Sequence, residues 1–123
     1  MSRSDGFLDF VLDQLEWAGE VVSRRMFGGT GLYCNGTFFA IVDGGRLYFK
    51  VDDESRGQYE KYGMQAFAPN SDQTLKTYYE VPVDILEDDG LLVQWARRAV
   101  EAQERKRAGR GKHPKGTTRG RSR

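Results

Sequence analysis

The side chains with the most reactive chemistry are few and scattered. The one histidine is His113, nine residues after Glu104, in a stretch of Arg, Lys and Gly. The region before it therefore offers no Ser-His-Asp or Cys-His set, no His-Glu-x-x-His and no Cys/His zinc spacing. Carboxylate-only or lysine chemistry stays open. The one cysteine, Cys34, lies beside a hairpin turn without a histidine to activate it and reads as a plain strand residue. A single cysteine also excludes an internal disulfide and fits a reducing compartment. Two acidic runs, Asp52-Asp53-Glu54 and Glu87-Asp88-Asp89, could hold a metal or act as acid and base. Both precede helical patterns, where acids cap the backbone and complement the dipole, and capping is the reading favoured here. Gly28-Gly29-Thr30-Gly31 lacks the Gly-Lys-Ser/Thr ending of a P-loop and is followed by a hairpin, not a helix. It reads as a bulged or closely approached strand. Tyr78-Tyr79 and Trp95 read as core and strand residues before a base-stacking platform. The expectation is a binding module, not an enzyme, with no cofactor and no metal.

Charge gives the other chemical signal. All 18 Asp and Glu residues lie within 1–104, while the last 19 residues hold nine Lys/Arg and no acid. The net charge of +1 conceals an acidic body and a basic segment. The basic set is Arg105, Lys106, Arg107, Arg110, Lys112, Lys115, Arg119, Arg121 and Arg123, spaced by Gly, Ser, Thr and Pro114. With no aromatic residue among them, they suit low-specificity contact with nucleic-acid phosphates, DNA or RNA, or a merely solvated tail. The acidic counterpart is Asp5, Asp9, Asp13, Glu16 and Glu20. On one helix these acids would fall within an arc of about 80°, a stripe for a protein partner or for the tail itself folding back.

These residues need elements to place them. Phe7, Leu8, Val11, Leu15 and Ala18 predict a helix from Asp5 to Ala18, with Ser4 as N-cap and Gly19 as stop. Three strands follow: Met26–Cys34, Thr37–Val42 and Arg46–Val51, joined at Asn35-Gly36 and Asp43-Gly44-Gly45. The second is apolar on both faces and belongs in the middle of the sheet. In the third, Leu47, Phe49 and Val51 face the core, while Tyr48 and Lys50 take the other face. Asp52 or Asp53 caps a short helix ending at Gly63, anchored by Tyr59 and Tyr62. A second hairpin uses Gln65–Ala68 and Leu75–Val81, ended by Pro82. A helical turn at Asp84–Glu87 leads into a helix from about Asp88, with Leu92, Trp95, Ala96 and Ala99 inward. The order is α-β-β-β-α-β-β-α: an α+β domain over 1–104, then a disordered basic tail over 105–123. No apolar run is long enough to cross a bilayer, and the acidic start does not suit a signal peptide. A cytoplasmic location without membrane contact is expected.

Four segments in order, Arg24–Tyr33, Arg46–Asp52, Tyr78–Pro82 and Trp95–Ala99, resemble the N-terminal domain of the TfoX/Sxy competence-regulator family. The resemblance spans roughly 5–102. It implies a two-layer α-β(3)-α-β(2)-α fold with a mainly antiparallel five-stranded sheet, similar to secretion-chaperone domains. It also implies a regulatory role in natural competence, alongside other transcription factors. The second domain of full-length members is not expected here. The alternative is a chaperone-like protein-interaction module with no nucleic-acid role, for which a homodimer is expected from fold analogy alone.

Overall fold

The computed structural model describes the backbone of residues 3–26 and 29–111, with side chains for 6–26 and 29–106. Helix α1 (Arg3–Gln14) is shorter than its hydrophobic period predicts and includes Ser4, which is therefore not its N-cap. Leu15 leaves the α conformation, and a 3-10 turn over Glu16–Ala18 closes with the Ala18 N–H on the Leu15 carbonyl. Gly19 then adopts φ 142°, ψ −163°, a conformation open essentially to glycine. A Cβ there would meet Cys34 Sγ at 2.9 Å. Gly19 is the predicted stop, reached one 3-10 turn after the helix has ended.

Six strands follow, not five. β1 (Val21–Met26) and β2 (Gly29–Cys34) form a hairpin where one strand was expected from Met26. The sheet continues through β3 (Thr37–Asp43) and β4 (Arg46–Lys50), then, after helix α2 (Asp53–Lys61), through β5 (Ala66–Asn70) and β6 (Gln73–Glu80). Its order is β1-β2-β3-β4-β6-β5, with every neighbouring pair antiparallel. β1 escaped the sequence reading because it is an edge strand. Val-Val-Ser-Arg-Arg-Met has no alternation, and its four middle residues are exposed. Charged residues on an edge are also a common guard against unwanted strand pairing. The β2–β3 turn has Asn35 at φ 49° and Gly36 at φ 87°, the positive-φ pair read from the sequence.

β3 is central, as predicted, and its two apolar faces have a local cause. Leu32 pairs with Ala40 but Tyr33 with Phe38, so Phe39 is an extra residue on β3. This bulge sends both Phe39 and Ala40 to the helical side, and Phe38 and Ile41 to the other.

The helices cover one face. Short helix α3 (Val83–Leu86) leads to α4 (Asp89–Gly111), whose Leu92, Ala96 and Ala99 lie against β3 and β4. Phe39 and Phe49 meet in this core with ring centroids 5.7 Å apart. Trp95 sets its ring edge-on to Tyr59 and Tyr62, at 4.7 and 5.8 Å. α4 runs through Arg105, where irregular chain was expected to begin, as far as Gly111. Ala102 is its last buried residue among the described side chains. Arg, Lys and Ala favour helix, and Arg105 is held by the Asp52 carboxylate.

Candidate functional site on the open face of the sheet

The face that the helices leave uncovered is aromatic. Alternation places Tyr33, Phe38, Ile41, Tyr48 and Tyr78 there, on four adjacent strands. Tyr33 and Phe38 rings lie 5.2 Å apart, and Phe38 and Tyr78 lie 5.7 Å apart. Phe67 of β5 reaches across β6 to Tyr48 of β4, at 4.7 Å. Register shifts on both sides of Phe67 permit that reach by curling the β5–β6 hairpin over the face. Ile41, Phe67 and Tyr78 are buried in a cluster separate from the one that holds the helices' core residues.

The curl makes a cavity. Met26 and Gly29 of the β1–β2 hairpin line it from one edge of the sheet, and Pro69 and Asn70 of β5 from the other. Phe38, Ile41 and Tyr78 line it from the middle strands. Its volume is about 420 Å³, within the range of small-molecule sites. Two glycines shape the wall. A Cβ on Gly31 would lie 2.7 Å from Met26 Cε and 2.9 Å from Phe38, and one on Gly29 would lie 2.9 Å from the Val42 carbonyl oxygen. Both fit the closely approached strand expected of this segment; Phe27 and Gly28 lie outside the described residues.

The electrostatics of the face are tuned by burial. Desolvation pushes the Tyr78 phenol up to about 12 and raises Tyr48, to which nearby Glu80 adds. Lys50 is buried here with its ammonium 5.3 Å from the Tyr78 ring centre, and Arg24 sits 5.8 Å from the Tyr33 ring. An Arg46–Glu80 pair at 3.0 Å closes one rim.

The two acidic runs behave as caps. Asp52 accepts from the Ser55 N–H at 2.8 Å while Ser55 Oγ accepts from the Asp52 N–H, a capping box. Asp88 Oδ1 accepts from the Leu91 N–H at 3.0 Å. Among the described residues no group of three or more His, Cys, Asp or Glu is placed to hold a metal. Cys34 is buried against the Ala18 carbonyl, and burial raises its thiol pKa, the opposite of an activated nucleophile. Tyr79 belongs to the helical side, donating from its hydroxyl to Glu60 at 3.0 Å.

Of the two charged sets read from the sequence, the structure describes the side chains of Asp9, Asp13, Glu16, Glu20, Arg105 and Lys106. Asp9 and Asp13 are exposed on α1, and the side chain of Asp5 lies outside the described residues. Glu16 is in the 3-10 turn and Glu20 beyond it, so the five acids do not form one helical stripe. The Glu20 N–H instead donates to Asn35 Oδ1, and its carbonyl accepts from the Asn35 N–H. Of the basic set, Arg105 binds the Asp52 carboxylate and Lys106 is exposed. Arg107 and Arg110 lie on the α4 backbone, with side chains outside the described residues; Lys112, Lys115, Arg119, Arg121 and Arg123 lie outside them entirely.

The sequence matches the TfoX N-terminal domain over residues 13–103. The chain belongs to that family. It is also 34% identical over 65 residues to the DNA transformation protein TfoX1 of Aliivibrio fischeri. That stretch covers 51% of this chain and 31% of the relative, so the similarity spans about a third of the relative's length. The four segments carrying the resemblance fall on structural elements of this TfoX N-terminal domain. Arg24–Tyr33 crosses β1 and β2, Arg46–Asp52 is β4 and the α2 cap, Tyr78–Pro82 ends β6, and Trp95–Ala99 is the inner turn of α4. The aromatic open face was missed in the sequence, although its signal was present. Phe38, Ile41, Tyr48 and Tyr78 repeat on the second face of adjoining strands, more apolar surface than one helical layer can cover. No helix among the described residues is long and apolar enough to cross a membrane.

Proposed function

We propose that this TfoX N-terminal domain protein is a non-enzymatic regulatory module acting in the cytoplasm, with a basic segment that meets nucleic acid and a folded body that meets a protein partner. The observation that supports it most is the separation of charge along α4. The helix runs past Ala102 through Arg105 and Lys106, both exposed, to Gly111, and in the sequence nine Lys/Arg lie in 105–123 while all the acids lie within 1–104. The relative's name, a DNA transformation protein, fits a role close to nucleic acid.

Titration of the full chain with a labelled duplex and a labelled single strand, at several salt concentrations, tests this. With Arg105 engaged by Asp52, eight cations remain. Log K should then fall against log salt with a slope approaching about −7 on duplex and about −6 on single strands. Replacing Arg110, Lys112, Lys115, Arg119, Arg121 and Arg123 with Gln should abolish most of the binding. Binding that survives both this change and high salt would sink the proposal.

The second reading, a chaperone-like interaction module without nucleic acid, draws on the apolar open face and on Trp17, which is 73% exposed. It predicts no nucleic-acid binding at low salt. Sedimentation equilibrium would show whether the partner is a second copy.

A further inference from the structure

We propose that the cavity on the open face is a binding site for a small planar aromatic amine, seated with its ring against Phe38 and Tyr78 and its cationic group toward Asp43. This goes beyond the regulatory reading and is independent of whether the basic segment meets nucleic acid.

The size and chemistry of the walls point to such a ligand. The volume of about 420 Å³ suits a molecule of one or two fused rings. The floor is desolvated: Ile41, Phe67 and Tyr78 are 5–7% exposed. Phe38 and Tyr78 stand 5.7 Å apart and tilted by 40°, offering ring surface for offset or edge contacts. Met26 adds a flexible, polarizable thioether.

Besides the Tyr78 phenol, the described polar side chains that line the cavity are Asp43, Asn70 and Gln73. Asn70 and Gln73 are already engaged. Asn70 Nδ2 donates to Gln73 Oε1 at 3.1 Å, and Asn70 Oδ1 accepts from the Asp72 N–H at 2.8 Å. Among the described residues, Asp43 is the one charged residue in the lining. It is half-buried, and among the described residues no hydrogen bond or ion pair engages its carboxylate. A carboxylate on an apolar wall gains most from a cationic donor and repels an anion. The same charge disfavours a phosphate-bearing ligand, which separates this site from the nucleic-acid reading. The Tyr78 ring already faces the Lys50 ammonium at 5.3 Å, so the preference for a cation rests on Asp43.

Three probes of one shape and different charge make the test: tryptamine, indole and indole-3-acetate. Each is titrated into the full chain without nucleic acid, read by calorimetry and by NMR shifts. Tryptamine should bind saturably, with shifts at Phe38, Ile41 and Tyr78. Indole should bind at least about fivefold more weakly, and indole-3-acetate more weakly still. Asp43→Asn, checked for an unchanged thermal melt, should bring tryptamine to the affinity of indole. Leu75→Trp, which fills the mouth from the β6 side, should weaken all three. Absence of saturable tryptamine binding at millimolar concentration overturns the proposal, and would leave the face to a peptide or another macromolecule. Equal affinity for the three probes, unchanged selectivity in Asp43→Asn, or shifts confined to the helical side would each overturn it too.

Discussion

The two faces of the sheet are both rich in apolar side chains and differ in what covers them. On the helical face Leu32, Phe39, Leu47 and Phe49 are at most 1% exposed, sealed by α1, α3 and α4. The opposite face holds more strand rings, Tyr33, Phe38, Tyr48, Phe67 and Tyr78 against Phe39, Phe49 and Tyr79, but among the described residues two hairpins flank it and a cavity remains. The bulge at Phe39 is where β3 divides its apolar residues between them. Apolar content alone therefore does not tell a core face from a binding face. One is filled to packing density by long-range helices, while the other retains space.

The largest expected effect tests that division. Phe49→Ala removes a ring from a sealed site and should cost about 3–5 kcal/mol in denaturant unfolding. Phe38→Ala deletes a ring of the same size beside an existing cavity, where water can enter, and should cost less than half as much. Equal losses would mean that the open face is as much a core as the other. Gly31→Val comes next. Its new methyl groups must displace Met26 and Phe38, an overpacking cost of about 1–3 kcal/mol. It should also shrink the cavity, so a stability change without change in the NMR signals of Phe38 and Tyr78 would contradict the described wall.

Much of the helical face was legible in the sequence, and little of the open one. The Asn35-Gly36 turn, the Asp52 cap and the inward positions Leu92, Ala96 and Ala99 are local signals: a positive φ, an N-terminal amide, a helical period. β1 carries no such signal, since an edge strand needs no alternation. The helix through Arg105 continues on propensity and on its contact with Asp52, a partner 53 residues away. The open-face cluster joins Ile41, Phe67 and Tyr78 through register shifts in β5–β6 that no periodicity announces. What the sequence hid is what depends on distant residues meeting.

Asp52 gives a pH test of the long-range contact at the end of the helical layer. Burial acts to raise its carboxyl pKa, but the Ser55 amide and the Arg105 guanidinium outweigh it and hold the group at about 2. A folded-state value below the unfolded one adds stability above about pH 4 and loses it as pH falls toward 2. Allowing for solvent at this partly exposed pair, the contribution is on the order of 1 kcal/mol. Asp52→Asn keeps a capping oxygen but loses the charge. It should be less stable than the parent by about that amount at pH 7 and indistinguishable from it near pH 2. A constant difference across that range would assign Asp52 a capping role alone.

The smallest effect belongs to the Arg46–Glu80 pair on the rim of the open face. Arg46 is largely exposed, so Arg46→Gln should cost no more than about 0.5 kcal/mol, fading as salt rises. Its value lies in the tyrosine between the strands. Tyr48 is the cross-strand partner of Glu80, and Arg46 lies two residues before it on β4. Burial raises the Tyr48 pKa first, Glu80 raises it further, and Arg46 opposes both by favouring the phenolate. Removing Arg46 should move the Tyr48 titration upward, and Glu80→Gln should move it downward, with stability nearly unchanged in both. An NMR titration of the Tyr48 ring reads the two shifts directly. Opposite signs would place Tyr48 within reach of both charges, on a face whose electrostatics can be altered without disturbing the core. A Tyr48 that titrates alike in all three proteins would instead remove it from the rim and from the open face.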